Sequence, residues 1–232
     1  MSEWLDILYP LGFLAQLVFC ARVVVQWLES EIKSKSVASK TFWNLSIAGS
    51  ALMFAHAFVQ SQFPVCLAQV CNGVIAWRNL NLMQTEDRQI TFNTMLKLLA
   101  ASICCVAVLF FVQWHFVHNA ETSWFRAPTY FKDHPEQGYS PIWHLAGTIG
   151  ILLFASRFWV QWWDSEKEKE SRLGASFWWI SLIGAILSCA YFLRLADFVN
   201  LIGPASGAIP YVRNLMLLNK THPALKAEIQ SQ

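Results

Sequence analysis

Seven apolar segments, each about as long as a bilayer crossing requires, constrain this chain more than any other feature. A hydrocarbon core of roughly 30 Å requires about 20 mostly apolar helical residues. The segments are Leu5–Leu28, Thr41–Gln60, Phe63–Met83, Met95–Val117, Pro141–Trp163, Ser176–Ala196 and Phe198–Leu218. Polar residues interrupt the third segment, and Gly and Pro interrupt the seventh. We therefore predict an all-α, polytopic membrane protein with seven transmembrane helices.

Composition supports this class and excludes several others. Hydrophobic residues make up 55% of the chain and charged residues 14%, whereas soluble domains carry about a quarter charged residues. The 17 basic and 15 acidic residues nearly balance, so we expect no nucleic-acid partner. The six cysteines lie in or beside apolar runs without metal-ligand spacing, and no catalytic or nucleotide-binding motif is present. We expect no metal, no cofactor and no catalytic residues.

The distribution of Lys and Arg predicts the orientation in the membrane. With the N-terminus outside, twelve of the seventeen basic residues fall on the inner side: Lys33, Lys35, Lys40, Arg78, Arg88, Lys97, Lys167, Lys169, Arg172, Arg213, Lys220 and Lys226. Three fall on the outer side: Arg126, Lys132 and Arg194. The positive-inside rule therefore predicts an outer N-terminus and an inner C-terminus.

The chain contains an internal repeat with a constant offset of 135 residues. R-x-x-V-Q-W-x-x-S-E at 22–31 recurs at 157–166, F-W-x-x-S-x-x-G at 42–49 recurs at 177–184, and R-N-L-x-L at 78–82 recurs at 213–217. Three spans per repeat is an odd number, so a fourth, linking span lets both copies insert in the same direction. We predict a first three-helix repeat at 1–84, a linker helix and outer loop at 85–140, a second repeat at 141–219 and a cytoplasmic tail at 220–232.

These features resemble two known groups. The three-plus-one-plus-three plan is similar to the SWEET sugar transporters and the wider PQ-loop group, with parallel repeats. The repeated motifs resemble the lipid A biosynthesis N-terminal domain family, whose doubled form precedes some lipid-A-disaccharide synthases. That resemblance implies a bacterial inner membrane location, a membrane lipid or lipid-linked sugar as ligand, and a glycosyltransferase as partner. Because the sequence stops at Gln232, we expect no glycosyltransferase domain and no enzyme activity in the chain alone. A second copy of the chain is an alternative partner, in a homo-oligomer.

The first candidate site is a repeated polar helix face. Arg22, Gln26 and Ser30 are spaced at i, i+4 and i+8, which places them on one face of a helix. Arg157, Gln161 and Ser165 repeat the arrangement. One interpretation is that the two faces bind a phosphate or pyrophosphate, for which forked guanidinium groups are suited. The alternative is that each Arg extends to the membrane interface and pairs with Glu29 or Asp164.

Further polar residues lie near the ends or within the predicted spans. Arg78 and Arg213 would either complete the anionic site or anchor the spans at the inner surface. We predict that Asn79 and Asn214 lie on a central path through the spans; alternatively, their amide side chains bond the backbone or neighbouring helices.

A central path through the spans is the second candidate site. The SWEET resemblance implies that Asn72 contacts a sugar, but the matching position in the second repeat is Gly207. Gln69 and His56 are the other candidates on this path, and each is alternatively a helix–helix hydrogen-bonding residue. Gly203, Pro204 and Pro210 predict a kink in the seventh span.

Three functions follow as hypotheses. The first is an inner-membrane protein of lipid A or envelope glycolipid metabolism that binds or translocates an anionic lipid or lipid-linked sugar. The second is a SWEET-like carrier of a small sugar. The third is a membrane anchor or scaffold for a lipid-A-disaccharide synthase.

Overall fold

The computed structural model describes residues 2–117, 141–194 and 198–230, and these residues are helical apart from short connections. The helices are α1 (Ser2–Ile32), α2 (Lys40–Val59), α3 (Phe63–Leu82), α4 (Phe92–Val112), α5 (Pro141–Glu168), α6 (Ala175–Arg194), α7 (Phe198–Ser206) and α8 (Ala208–Gln230). A π-helical turn, Gln113–Val117, continues α4. The predicted all-α class is confirmed. The outer loop with Arg126 and Lys132 lies outside the described residues.

Five of the described helical stretches are long and apolar enough to cross a membrane. They are Pro10–Ile32, Lys40–Val59, Glu86–Phe116, Leu145–Glu168 and Ala175–Arg194. The third and seventh predicted spans form helices but do not meet this criterion. The interrupting polar and Gly/Pro residues explain this difference, because they lower the apolar content of α3 and α8.

The predicted kink in the seventh span takes the form of a helix break. Gly207 is a single turn residue between α7 and α8, while Pro204 lies inside α7 and Pro210 in the first turn of α8. Proline is tolerated in a first turn because its missing N–H would have no partner in the helix.

The chain divides into two compact units. Unit 1 contains Met1–Phe19 and Trp43–Gln137, and unit 2 contains Cys20–Phe42 and Gly138–Gln232. The C-terminal half of α1, with its repeated motif, therefore belongs to the same unit as α5, α6 and α8. In unit 2, α5 packs most extensively on α6.

Unit 1 has an aromatic core that joins its helices. Phe110 of α4 is 2% exposed and makes edge-to-face contacts with Phe58 and Phe63, at ring distances of 5.3 and 5.2 Å. Such geometry is favourable for aromatic quadrupoles. The helix that carries Phe110 begins after Thr91, whose side chain accepts a hydrogen bond from the backbone N–H of Thr94.

Close packing of rings on glycines recurs with the sequence repeat. A Cβ atom on Gly12 would lie 2.9 Å from the His56 ring, and one on Gly147 would lie 2.4 Å from the Tyr191 ring. Both glycines and both rings are 135 positions apart. Gly49 and Gly184 are also 135 positions apart and have neighbours at matching positions, although a Cβ on Gly49 would meet the Phe19 ring and one on Gly184 the Phe154 backbone. The duplication is therefore visible in the packing around glycines inside each unit.

Candidate functional site

The repeated Gln and Ser residues hold the chain that follows their helix. Gln161 Nε2 donates to Ser165 Oγ (2.8 Å) and to the Arg172 carbonyl (3.0 Å). Gln26 Nε2 donates in the same way to Ser30 Oγ (2.9 Å) and to the Val37 carbonyl (3.3 Å). All four Gln and Ser side chains are buried, at 0–1% exposure. We call each arrangement a loop clamp, because it fastens the loop to the end of the helix.

The loop clamps close over a turn that also recurs. Ser34 and Lys169 have φ values of 50° and 57°, in the left-handed region that non-glycine residues seldom adopt. Such a residue commonly ends a helix by capping its last carbonyls. The backbone N–H groups of Lys35 and Glu170 donate to the carbonyls of Ser30 and Ser165 at 3.2 Å. The motif thus specifies a helix end and its loop.

The arginines of the motif line a small pocket inside unit 2. Arg22 and Arg157 are each 7% exposed, and both line this pocket. Each guanidinium carbon lies 5.0 Å from the centre of the Phe158 ring, so the two carbons are at most 10.0 Å apart. The aromatic lining residues are Phe42, Phe158, Phe177, Trp178 and Tyr211. Among the described residues, the lining includes no Asp or Glu.

Arg157 makes mainly aromatic contacts. Its Nη1 donates to Tyr211 Oη at 3.3 Å, and its guanidinium lies 3.5 Å from the Phe154 ring centre. Its Nε is buried without a hydrogen-bond acceptor among the described residues. Asp164, the alternative partner expected from the sequence, accepts a hydrogen bond from Ser176 instead. The structure therefore shows no Arg157–Asp164 ion pair within the part of the chain it describes.

The pocket is small in this conformation. Its free space is about 20 Å³, and a single water needs about 10–15 Å³ by the same kind of measure. A phosphate group is larger than a water molecule. A headgroup can therefore bind here only when part of the wall moves.

Gln26 and Asn214 join α1 to α8 next to this pocket. Gln26 Nε2 donates to Asn214 Oδ1 at 2.9 Å, and Asn214 Nδ2 donates to Gln26 Oε1 at 3.2 Å. Asn214 Nδ2 also donates to the Pro210 carbonyl at 2.8 Å. Arg213 forms a two-pronged ion pair with Glu31, including an Nη2–Oε2 distance of 2.8 Å. Of these residues, only Gln26 lines the pocket.

Arg78 and Asn79 belong to unit 1 and hold the end of α3. Arg78 is 1% exposed and donates from Nη1 to Asn81 Oδ1 (2.7 Å) and to the Ile90 carbonyl (2.8 Å). Asn79 Nδ2 donates to the Ile75 carbonyl at 2.9 Å, matching the Asn214–Pro210 bond. These hydrogen bonds give Arg78 a structural role in fixing the loop that leads to α4.

His56, Gln69 and Asn72, the other predicted central-path residues of unit 1, are half-buried. His56 packs on Gly12, and Gln69 lies on α3 with Asn72. The missing partner of Asn72 has a steric explanation, since a Cβ atom on Gly207 would lie 2.0 Å from Tyr211 Cζ. The second repeat therefore places a ring in the space that an asparagine would occupy, and it cannot form a matched pair of asparagines.

The aromatic residues that line the pocket were not among the predicted site residues. Phe42 and Phe177 belong to the repeated F-W motif, so the repeat was a signal that could have found them. Tyr211 and Phe158 correspond to Ala76 and Val23 in the first repeat. The repeat therefore does not indicate Tyr211 and Phe158, because their counterparts are different residues. The pocket is therefore lined both by residues that are identical in the two repeats and by residues that differ between them.

Taken together, the helices and the duplicated motifs define a helical membrane protein with a repeated unit and a buried pocket that contains two arginines. The chain matches the Lipid A Biosynthesis N-terminal domain family twice, at residues 11–81 and 146–216. These matches cover more than half of the sequence and are 135 residues apart. The chain belongs to this family, and the predicted duplication is confirmed.

Curated relatives carry the name lipid-A-disaccharide synthase. The protein from Chlamydia felis is 36% identical over 92% of this chain and 33% of its own length. Those from Chlamydia pneumoniae and Chlamydia trachomatis are 36% and 34% identical over 92% of this chain and 34% of theirs. The chain thus spans about a third of the length of the curated relatives it matches. No solved structure matches it significantly.

Proposed function

We propose that this membrane protein binds, and through binding translocates or presents, the anionic headgroup of a lipid or lipid-linked sugar in lipid A or envelope glycolipid metabolism. The observation that carries the proposal is the pocket of unit 2, where the guanidinium carbons of Arg22 and Arg157 each lie 5.0 Å from the centre of the Phe158 ring. Family membership supplies the metabolic setting.

Electrostatics favours an anion in this pocket. Two unit charges at most 10.0 Å apart repel by at least about 1.7 kcal/mol at an effective dielectric constant of about 20. A phosphate that contacts both groups would add two attractions at shorter distances, which together outweigh this repulsion. The guanidinium fork also matches phosphate oxygens geometrically. The aromatic walls exclude water and strengthen these interactions.

We also propose the full membrane architecture that the sequence predicts. It has seven spans arranged as two parallel three-helix repeats and a linker helix, with the domain limits at residues 84, 140 and 219. Its N-terminus is periplasmic and its C-terminus cytoplasmic in a bacterial inner membrane. The two-copy family match at a constant offset and the helical state of all seven segments support this arrangement.

The arginine pair provides the test. We predict that Arg22→Ala with Arg157→Ala weakens binding of fluorescent phosphatidic acid to the purified protein in detergent by at least about tenfold, since charge-assisted hydrogen bonds contribute about 1.5–3 kcal/mol. The matched control is Arg88→Ala with Arg172→Ala, which also removes two positive charges but from exposed side chains. Unchanged affinity in a folded Arg22/Arg157 variant would contradict the proposal.

A second candidate is a non-catalytic membrane anchor for a lipid-A-disaccharide synthase. The relatives favour it, because this chain corresponds to about a third of proteins that bear that name. The same variants separate the candidates. Co-purification with a synthase that survives loss of Arg22 and Arg157, together with unchanged lipid binding, would favour the anchor over the headgroup binder.

A further inference from the structure

Tyr211 of α8 lines the two-arginine pocket. The residue is 3% exposed, lines the pocket and accepts the hydrogen bond of Arg157 Nη1 at 3.3 Å. Its ring also lies 5.9 Å from that of Trp178, on the same wall. Tyr211 therefore accepts a hydrogen bond from Arg157 and also fills part of the space beside the guanidinium group.

The position of this ring depends on an exchange of sizes between the two repeats. The second repeat has Gly207 and Tyr211 where the first has Asn72 and Ala76. Because the Tyr211 ring lies where a Cβ atom on Gly207 would be, the small residue makes room for the large one. Tyr211 is the only tyrosine among the described residues that line this pocket. The exchange places it in hydrogen-bond contact with Arg157.

Arg157 has unused capacity for an anion. A guanidinium group carries five N–H donors. Tyr211 accepts one of them, and Nε is buried without an acceptor among the residues that the structure describes. A phosphate oxygen would be a stronger acceptor than a neutral hydroxyl group, because it is charged.

We propose that Tyr211 is the gate of this site and determines which phosphate-bearing headgroups it admits. The inference rests on the proposed function. In the closed state Tyr211 holds Arg157 and leaves about 20 Å³ of free space, which accommodates water but no phosphate. The ring moves aside when a phosphomonoester binds, and Arg157 Nη1 then donates its hydrogen bond to a phosphate oxygen instead of to the Tyr211 hydroxyl.

The test compares wild type with Tyr211→Phe and Tyr211→Ala, using phosphatidic acid and inorganic phosphate as probes of the full-length protein in nanodiscs. Tyr211→Phe keeps the ring but removes the competing acceptor, so we expect both probes to bind about fivefold tighter. Tyr211→Ala also enlarges the pocket, so phosphatidic acid is expected to gain at least as much. The control is Tyr191→Phe, which removes a hydroxyl from a ring that packs on Gly147 and does not line the pocket.

The outcomes separate the gate from the proposed function. A gain for both probes identifies the phosphate itself as the recognised group, and a gain for phosphatidic acid alone identifies the lipid headgroup. Binding that requires Arg22 and Arg157 but is unchanged in both Tyr211 variants overturns the gate alone. Weaker binding by Tyr211→Phe also overturns it, since Tyr211 would then be a ligand. Absence of arginine-dependent binding in wild type overturns both proposals.

Discussion

At the scale of single residues, the residues of the repeated motif have different structural roles. In each copy of the repeated motif, Gln and Ser form the loop clamp and the Arg one turn earlier lines the pocket, while Gln26 also lines the pocket and bonds Asn214. Buried polar groups of this kind are costly to leave unpaired. The clamp therefore accounts for Gln161 and Ser165 without a ligand, and the ligand hypothesis is concentrated on Arg22 and Arg157.

The clamp gives a stability prediction. Gln161→Leu removes the donor to Ser165 and to the Arg172 carbonyl, so we expect the free energy of unfolding to fall by about 1–3 kcal/mol. Thermal unfolding of the purified protein in detergent measures this as a lower Tm. Gln84→Leu, at an exposed side chain, is the matched control and should leave the Tm unchanged. Equal Tm values for the two variants would show that the clamp does not stabilise the fold.

At the scale of helices, close approach depends on glycine. A Cβ atom on Gly184 of α6 would lie 2.8 Å from the backbone nitrogen of Phe154 in α5. A backbone atom cannot rotate away as a side chain can, so the two helices would have to separate. Small residues at such contacts are typical of packed membrane helices.

Gly184→Ala is therefore expected to destabilise the protein by about 1–3 kcal/mol, the usual cost of overpacking. Gly203→Ala is the control, because no heavy atom lies within 4 Å of a Cβ at that position in α7. Alanine is the better helix former, so this control should match or slightly exceed the wild-type Tm. The comparison needs only unfolding curves, and a Gly184→Ala protein as stable as the control would refute the tight α5–α6 contact.

The helices and their duplication could be predicted from the sequence, because span length and repeated letters are local properties. The pocket could be predicted only in part. Arg22 and Arg157 are repeated letters, but Tyr211 faces Arg157 through the packing of α8, and nothing in its local sequence indicates that contact. The loop clamps could not be predicted from the sequence either, because the carbonyl to which each Gln donates depends on how the loop folds back on the helix.

At the scale of the whole molecule, the distribution of basic residues predicts the orientation in the membrane. The excess of Lys and Arg in the loops predicted to be inside implies a cytoplasmic C-terminus in a bacterial host. A green fluorescent protein fused to the C-terminus should therefore fluoresce, and alkaline phosphatase inserted in the loop 118–140 should be active in the periplasm. The reverse pattern would invert the assignment of inside and outside.

The central claim is that two buried arginines bind an anionic headgroup, and native mass spectrometry of the protein extracted from bacterial inner membranes tests it most directly. We predict that wild type and the exposed-arginine control, Arg88→Ala with Arg172→Ala, retain a phosphorylated lipid. The Arg22→Ala with Arg157→Ala protein should lose it while remaining folded. The same retained lipids in all three proteins would contradict the claim.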